Sequence, residues 1–244
     1  MFKLQNVSKK FLQNYALKNI SFNINKGETL AIIGGSGSGK STLLRLLIGL
    51  IKPTEGEIYY EGEPMSQKTD EEWDAARLKM GMVFQYSALF DSMTVFENVA
   101  FGLREHKNLS EEEIAKIVQE KLELVGLPKV ANLMPNELSG GMKKRVSLAR
   151  ACAYNPSIIF YDEPSSGLDP VTTRKIDELI IDTQRALKVT SVVVTHDMLS
   201  AVRIADRIAM VDHGDLVAIA PTEEFRKIDD VRIKEFFKAF GEAV

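Results

Sequence analysis

An α/β fold with a mostly parallel sheet is predicted by three features of this 244-residue chain. Short, continuous apolar runs recur at Thr29-Leu30-Ala31-Ile32-Ile33, Ile158-Ile159-Phe160-Tyr161 and Ser191-Val192-Val193-Val194, as in strands buried on both faces. Helical patterns alternate with them, which implies parallel pairing under helices. A glycine-rich loop, Gly34-Gly35-Ser36-Gly37-Ser38-Gly39-Lys40-Ser41-Thr42, directly follows the first run.

The first sixty residues read as strands and turns. Ile20, Phe22 and Ile24 alternate with polar residues, the period of a half-buried strand, and Lys26-Gly27 turns the chain into the first buried run. After the glycine-rich loop, Leu43 to Leu50 is apolar nearly all round and predicts a helix buried on most sides. Ile58-Tyr59-Tyr60 and Glu61-Gly62 predict a strand and a bend. From residue 86 to 151 the texture becomes helical. Ser110 with Glu113 forms a capping box ahead of Ile114, Ile117, Val118, Leu122 and Val125, and a second helix is expected from Ser139-Gly140-Gly141 to about Ala153. This stretch is expected as an insertion in a core made of residues 1–85 and 152–220. Asp169 should cap a further helix with Pro170 at its first position, where a missing N–H costs nothing.

Composition narrows the function. A formal net charge of −3 argues against a general nucleic-acid binder, and Cys152, the single cysteine, leaves no internal disulfide and points to a reducing compartment. No run approaches the roughly 18 apolar residues that span a bilayer. The first residues, Met1-Phe2-Lys3-Leu4-Gln5-Asn6, lack the apolar core of a signal peptide. A membrane role is therefore expected to run through partners.

The loop at 34–42 fits G-x-x-x-x-G-K-[ST]. Its glycines let successive N–H groups turn toward phosphate oxygens, and the following helix start adds partial positive charge. Lys40 is placed to reach the β- and γ-phosphates, and Ser41 to ligate Mg²⁺. With glycine at roughly 7% of residues, a chance match in a chain this long has odds of about one in a hundred.

Ligands of parallel α/β sheets sit beyond the carboxyl ends of strands. Met80-Gly81-Met82-Val83-Phe84 delivers Gln85, the run ending at Tyr161 delivers Asp162 and Glu163, and Val192 to Thr195 delivers His196. Phosphoryl transfer to water assigns the roles. Asp162 holds Mg²⁺ through its water shell, Glu163 is the general base, Gln85 touches metal and water, and His196 reaches the γ-phosphate. His106 and His213 lie in polar or turn contexts and carry no such expectation.

Leu138-Ser139-Gly140-Gly141-Met142-Lys143-Lys144-Arg145 resembles the signature sequence of ABC-transporter ATPases. With the P-loop, Gln85, Asp162-Glu163, Ser166-Gly167-Leu168-Asp169 and His196 in this order, the likeness covers essentially the whole chain. It implies a P-loop NTPase core with a mostly parallel sheet, an N-terminal antiparallel β subdomain and an inserted helical signature subdomain. It also implies a homodimer that binds two ATP head to tail with Mg²⁺. The P-loop of one copy faces Ser139, Gly140 and Gly141 of the other, while residues 166–169 cross between the sites and place Asp169 near nucleotide. Phe11 matches the position that stacks on adenine, with Tyr15 a near rival. Met142 departs from the usual glutamine.

The same resemblance implies transmembrane permease partners and a peripheral position on the cytoplasmic side of the inner membrane. Leu89-Phe90-Asp91-Ser92-Met93-Thr94-Val95-Phe96-Glu97-Asn98-Val99 and the methionine-bearing signature are similar to Mla-type ATPases, which energise phospholipid traffic with lipid-binding and accessory subunits. An amino-acid or small-solute importer, and a cell-division-type ATPase, stay open as alternatives. In the tail from 221 to 244, Ile233, Phe236, Phe237 and Phe240 form one helical stripe. That stripe packs either on its own core or on a partner.

Overall fold

Residues 1–239 are described by a computed structural model, in two compact units: residues 1–77 with 190 onward, and residues 78–189. In the first unit, β1 (Phe2–Phe11) pairs antiparallel with β2 (Asn14–Ile24) and with β4 (Glu55–Tyr60), which turns into β5 (Glu63–Pro64). Glu61 and Gly62 make that last turn with φ of 51° and 88°, the left-handed pair that matches the twist of a two-residue hairpin. The opening strands thus form the antiparallel sheet implied by the family resemblance.

Between them, β3 (Thr29–Ile33) is buried at every residue and leads through the glycine loop to α1 (Lys40–Leu47). The helix starts earlier and stops sooner than the expected 43–50. Gly49 breaks it at φ 71°, directly beneath the Trp73 indole, where any Cβ would lie 2.2 Å from a ring carbon; Leu50 is left exposed. Trp73 is the one buried residue of α2 (Asp70–Arg77).

The second unit opens with β6 (Met80–Val83), followed by α3 (Val95–His106), α4 (Glu111–Leu124), α5 (Gly140–Cys152), β7 (Ile158–Asp162) and α6 (Pro170–Leu187). β6 and β7 pair in parallel. The capping box of Ser110 and Glu113 is formed, as is a second one of Thr94 and Glu97 at α3. The unit is larger than residues 86–151 because α5 is seated directly on β6. Gly81 lets the Ala151 carbonyl oxygen come within 2.7 Å of where a Cβ would stand.

The chain then re-enters the first unit with β8 (Thr190–Thr195), α7 (Met198–Ile204), β9 (Arg207–Asp212), β10 (Asp215–Pro221), α8 (Thr222–Phe225) and α9 (Val231–Ala239). β3 lies parallel to both β8 and β9, and β10 closes the edge antiparallel to β9. The tail belongs to this core. Ile233 and Phe237 are buried with Phe225 against Ala31, Ile33, Met198 and Met210, and Phe236 packs at the margin. Phe240 lies outside the described residues.

Candidate active site

The phosphate loop is shaped from behind. At Gly34 (φ 151°) a Cβ would stand 2.1 Å from the Val211 carbonyl oxygen, and at Gly39 (φ 113°) 2.6 Å from that of Ala16. Only glycine lets the backbone lie this close to its support. The hairpin between β9 and β10 adds a second brace, since Gly214 N donates to Ser38 O at 2.9 Å while Lys18 N donates to Gly214 O at 2.8 Å. On the front, Gly35, Ser36 and Gly37 form an exposed crest, and Gly35 and Gly37 have open space where a side chain would be.

Lys40, 7% exposed, stretches back along the loop and donates to Gly34 O and Gly35 O, both at 2.8 Å. Gly39 caps α1 without any side-chain hydrogen bond, and no acidic residue occupies the first turn. The first N–H groups of α1 are therefore not capped by a side chain from the helix's own start. A hollow of about 150 Å³ lies here, lined by Ala16 and residues 37–42. Ser38 Oγ is buried with no hydrogen-bond partner among the described residues, a state that normally marks a place for a further acceptor or donor. A group of anionic oxygens fits this donor set.

Elsewhere in the first unit, Phe11 and Tyr15 flank the β1–β2 turn, both exposed. Lys9 Nζ lies 5.3 Å from the Phe11 ring centre, and Lys10 Nζ lies 4.3 Å from that of Tyr15. Either aromatic offers a face for a planar base, so both readings stand. His196 is exposed just past β8, in a turn tied on each side. Thr195 Oγ1 accepts from Asp197 N at 2.9 Å, and Asp197 caps α7 by accepting from Ser200 N at 3.1 Å.

The second unit carries the other predicted residues. Gln85, two residues past β6, is half-buried, and its Nε2 donates to Ser166 Oγ at 3.3 Å. Asp162 ends β7. Glu163 follows with φ 48°, a left-handed backbone that costs a non-glycine residue about 1–3 kcal/mol and that clusters at functional sites. Its carbonyl accepts from Ser166 N at 3.1 Å, which closes the turn.

Ser139, Gly140 and Gly141 begin α5. Ser139 and Gly140 are exposed, and Ser139 Oγ accepts from Met142 N at 3.3 Å. A Cβ at Gly141 would stand 3.0 Å from Thr172 Cγ2, a tight contact that the threonine methyl would have to relieve. Asp169 caps α6, accepting from Val171 N and Thr172 N at 3.0 Å each. The Thr172 hydroxyl, followed by these N–H groups, holds the Asp169 carboxyl below its ordinary range.

Two side chains overlooked in the sequence join this group. Lys144 donates from Nζ to the Gln85 carbonyl, and Arg150 donates to Ser87 O and Ala88 O. Burial pulls the Lys144 ammonium below its ordinary range, while the carboxylates of Asp162 and Glu163 act in the opposite sense. Cys152, at the end of α5, is buried and its thiol is pushed up to about 12, so it is no nucleophile.

The sequence pattern described as ABC transporter matches residues 17–166, more than half of the chain. The chain belongs to the ABC transporter family. This ABC protein is an ATP-binding and ATP-hydrolysing member of it, and the fold is that of solved ABC cassettes. A dimeric post-hydrolysis structure of the ATP-binding cassette MJ0796 bound to ADP and Pi matches with TM-score 0.83 and 40% identity, covering 91% of this chain and 99% of that one. The intermembrane phospholipid transport system ATP-binding protein MlaF of Haemophilus influenzae is 40% identical over 98% of this chain and 90% of its own length. The methionine import ATP-binding protein MetN of Carboxydothermus hydrogenoformans is 48% identical over 83% of this chain and 60% of its own. No helix among the described residues is long and apolar enough to cross a membrane.

Proposed function

We propose that this ABC ATPase powers phospholipid movement across the bacterial cell envelope. In this reading it is a homodimer seated on transmembrane permease subunits at the cytoplasmic face of the inner membrane, with lipid-binding and accessory subunits in the same assembly. The observation that carries the lipid reading is end-to-end likeness. The MlaF match covers 98% of this chain, whereas the methionine importer match covers 83% of it. The importer reading has its own support in the higher identity over the shared part.

The chemistry follows from the donor sets. The N–H groups of the loop from Gly35 to Thr42 and the Lys40 ammonium take the β- and γ-phosphate oxygens of ATP, with Phe11 or Tyr15 against the adenine. Mg²⁺, when bound, neutralises charge on those oxygens. Ser41, Asp162 and Gln85 would hold it, in keeping with the habit of Mg²⁺ of taking few protein ligands beside phosphates and water. Glu163 accepts the proton of the attacking water as its oxygen bonds to the γ-phosphorus. The bond from the γ-phosphorus to the bridging oxygen breaks, and ADP retains that electron pair. His196, and Ser139 with Gly140 and Gly141 of a second copy, donate to the γ-phosphate oxygens as charge builds there. Asp169 shapes the segment between the two nucleotides.

Two measurements test this. Glu163→Gln should keep ATP affinity and lower kcat about 10²- to 10⁴-fold, trapping an ATP-bound dimer; near wild-type turnover would refute the assigned base. The assembled transporter in proteoliposomes should show turnover that responds to phospholipid composition and moves a labelled phospholipid. Stimulation by an amino-acid-loaded binding protein instead would establish the importer.

A further inference from the structure

Two cations of α5 are sunk against the loop that carries Gln85. Lys144 is buried and bonds the Gln85 carbonyl. Arg150, six residues on, donates to Ala88 O at 2.7 Å and Ser87 O at 3.0 Å, with its guanidinium 6.0 Å from the centre of the Phe90 ring. Ser87 and Ala88 both hold left-handed backbone, φ 62° and 46°, uncommon for non-glycine residues, within a turn also closed by Ser87 N to Phe84 O at 3.0 Å. Three carbonyls in four residues are thus held by one helix, and that helix begins at Ser139.

This is an expensive way to pin a loop. Burial pulls both Lys144 and Arg150 below their ordinary pKa ranges, so each resists losing its hydration. Neutral carbonyls repay that cost less well than carboxylates do, and packed apolar residues often hold such contacts at lower cost. For Lys144 the charge has a second use, because the Asp162 and Glu163 carboxylates lie within its field.

We infer that Lys144 is a positioning residue for ATP hydrolysis, tying the Gln85 loop to the signature helix and presenting a fixed positive charge to Asp162 and Glu163 without touching the nucleotide. The inference rests on the proposed roles of Gln85 and Glu163.

The test is steady-state hydrolysis by the full chain in its transporter, as a function of ATP concentration. Lys144→Met keeps length and apolar stem but removes donor and charge. It should leave KM within about twofold and lower kcat roughly ten- to a hundredfold, the scale of a misplaced reacting geometry. Lys144→Arg should recover most of kcat. The inference is overturned if the methionine variant turns over at wild-type rate, if the loss appears in KM rather than kcat, or if arginine rescues no better than methionine. Should Lys144→Met fail to fold, Lys144→Gln takes its place under the same criteria. Glu163→Gln is run alongside: full activity there sinks the catalytic reading itself, whereas a dead Glu163→Gln with a fast Lys144→Met sinks only the role of Lys144.

Discussion

Two helices of this ABC ATPase begin at glycine-rich turns, and they are built in opposite ways. At α1 the start is recessed: Gly39 is pressed on the Ala16 carbonyl, Lys40 is buried, and no side chain caps the first turn. At α5 it faces outward: Ser139 and Gly140 are exposed, and the serine already accepts one first-turn N–H from Met142. Neither first turn holds an acidic residue, so neither helix offsets its own N-terminal dipole from within that turn. The first is a complete cradle with its own cation. The second offers one hydroxyl and part of a helix dipole, which is weak in water. It gains strength only where another surface excludes solvent. The contrast supports a division of labour in which α1 binds nucleotide within one chain and α5 completes a site on a second copy.

Removing the distinguishing group from each start sharpens that contrast most. Lys40→Ala should weaken ATP binding by a single chain about 10- to 100-fold, the worth of charge-assisted hydrogen bonds to phosphate. Ser139→Arg should leave single-chain affinity unchanged and abolish ATP-driven dimerisation of the Glu163→Gln protein. Nucleotide titration and sedimentation separate the two. If Ser139→Arg lowered single-chain affinity as Lys40→Ala does, the division would be broken.

A smaller effect separates the glycines. Gly39→Ala forces a Cβ to 2.6 Å from a backbone oxygen at φ 113°, and the strained backbone alone should cost about 1–3 kcal/mol. Gly140→Ala meets nothing nearer than a Leu168 methyl at 3.6 Å in an ordinary helical position, and alanine there should gain about 0.5–1 kcal/mol. Urea unfolding of both variants gives the comparison. Equal destabilisation would mean that the two turns are not as different behind as they are in front.

Much of this was legible before any coordinates. The glycine loop, the strand ends that deliver Gln85, Asp162, Glu163 and His196, and the capping box at Ser110 are local patterns, and local patterns survive in sequence. Thr69 with Glu72, and Thr94 with Glu97, carry the same capping signature and mark the starts of α2 and α3. α1 ends before the apolar run does because Gly49 is fitted beneath Trp73, more than twenty residues away. Lys144 and Arg150 had no sequence signal at all. In a run of basic residues, full burial of Lys144 between the half-buried Lys143 and Arg145 is a tertiary fact, set by where α5 meets the loop after β6.

A third helix start extends the comparison and predicts the smallest effect. α6 begins at Asp169, whose carboxylate accepts from Val171 N and Thr172 N and so fills with its own anion the position that α1 leaves open. The Thr172 hydroxyl and then the two N–H groups depress its pKa, and the ordinary unfolded value is about 3.9. A depressed carboxylate stabilises the folded state fully above the unfolded pKa, and that contribution fades as pH falls through the lower, folded value. Above about pH 5 wild type should therefore show no dependence on this group. Asp169→Asn keeps a good cap acceptor but cannot titrate. Its acid unfolding curve should be shallower than wild type below about pH 4 and parallel to it above. Coincident acid limbs would mean that the cap works as well protonated as ionised, and that charge at the start of α6 does not matter. Divergence confined to the acid side would place the three starts in one series, from α1 with no cap, through the hydroxyl at α5, to the carboxylate at α6, with room for an outside anion falling at each step.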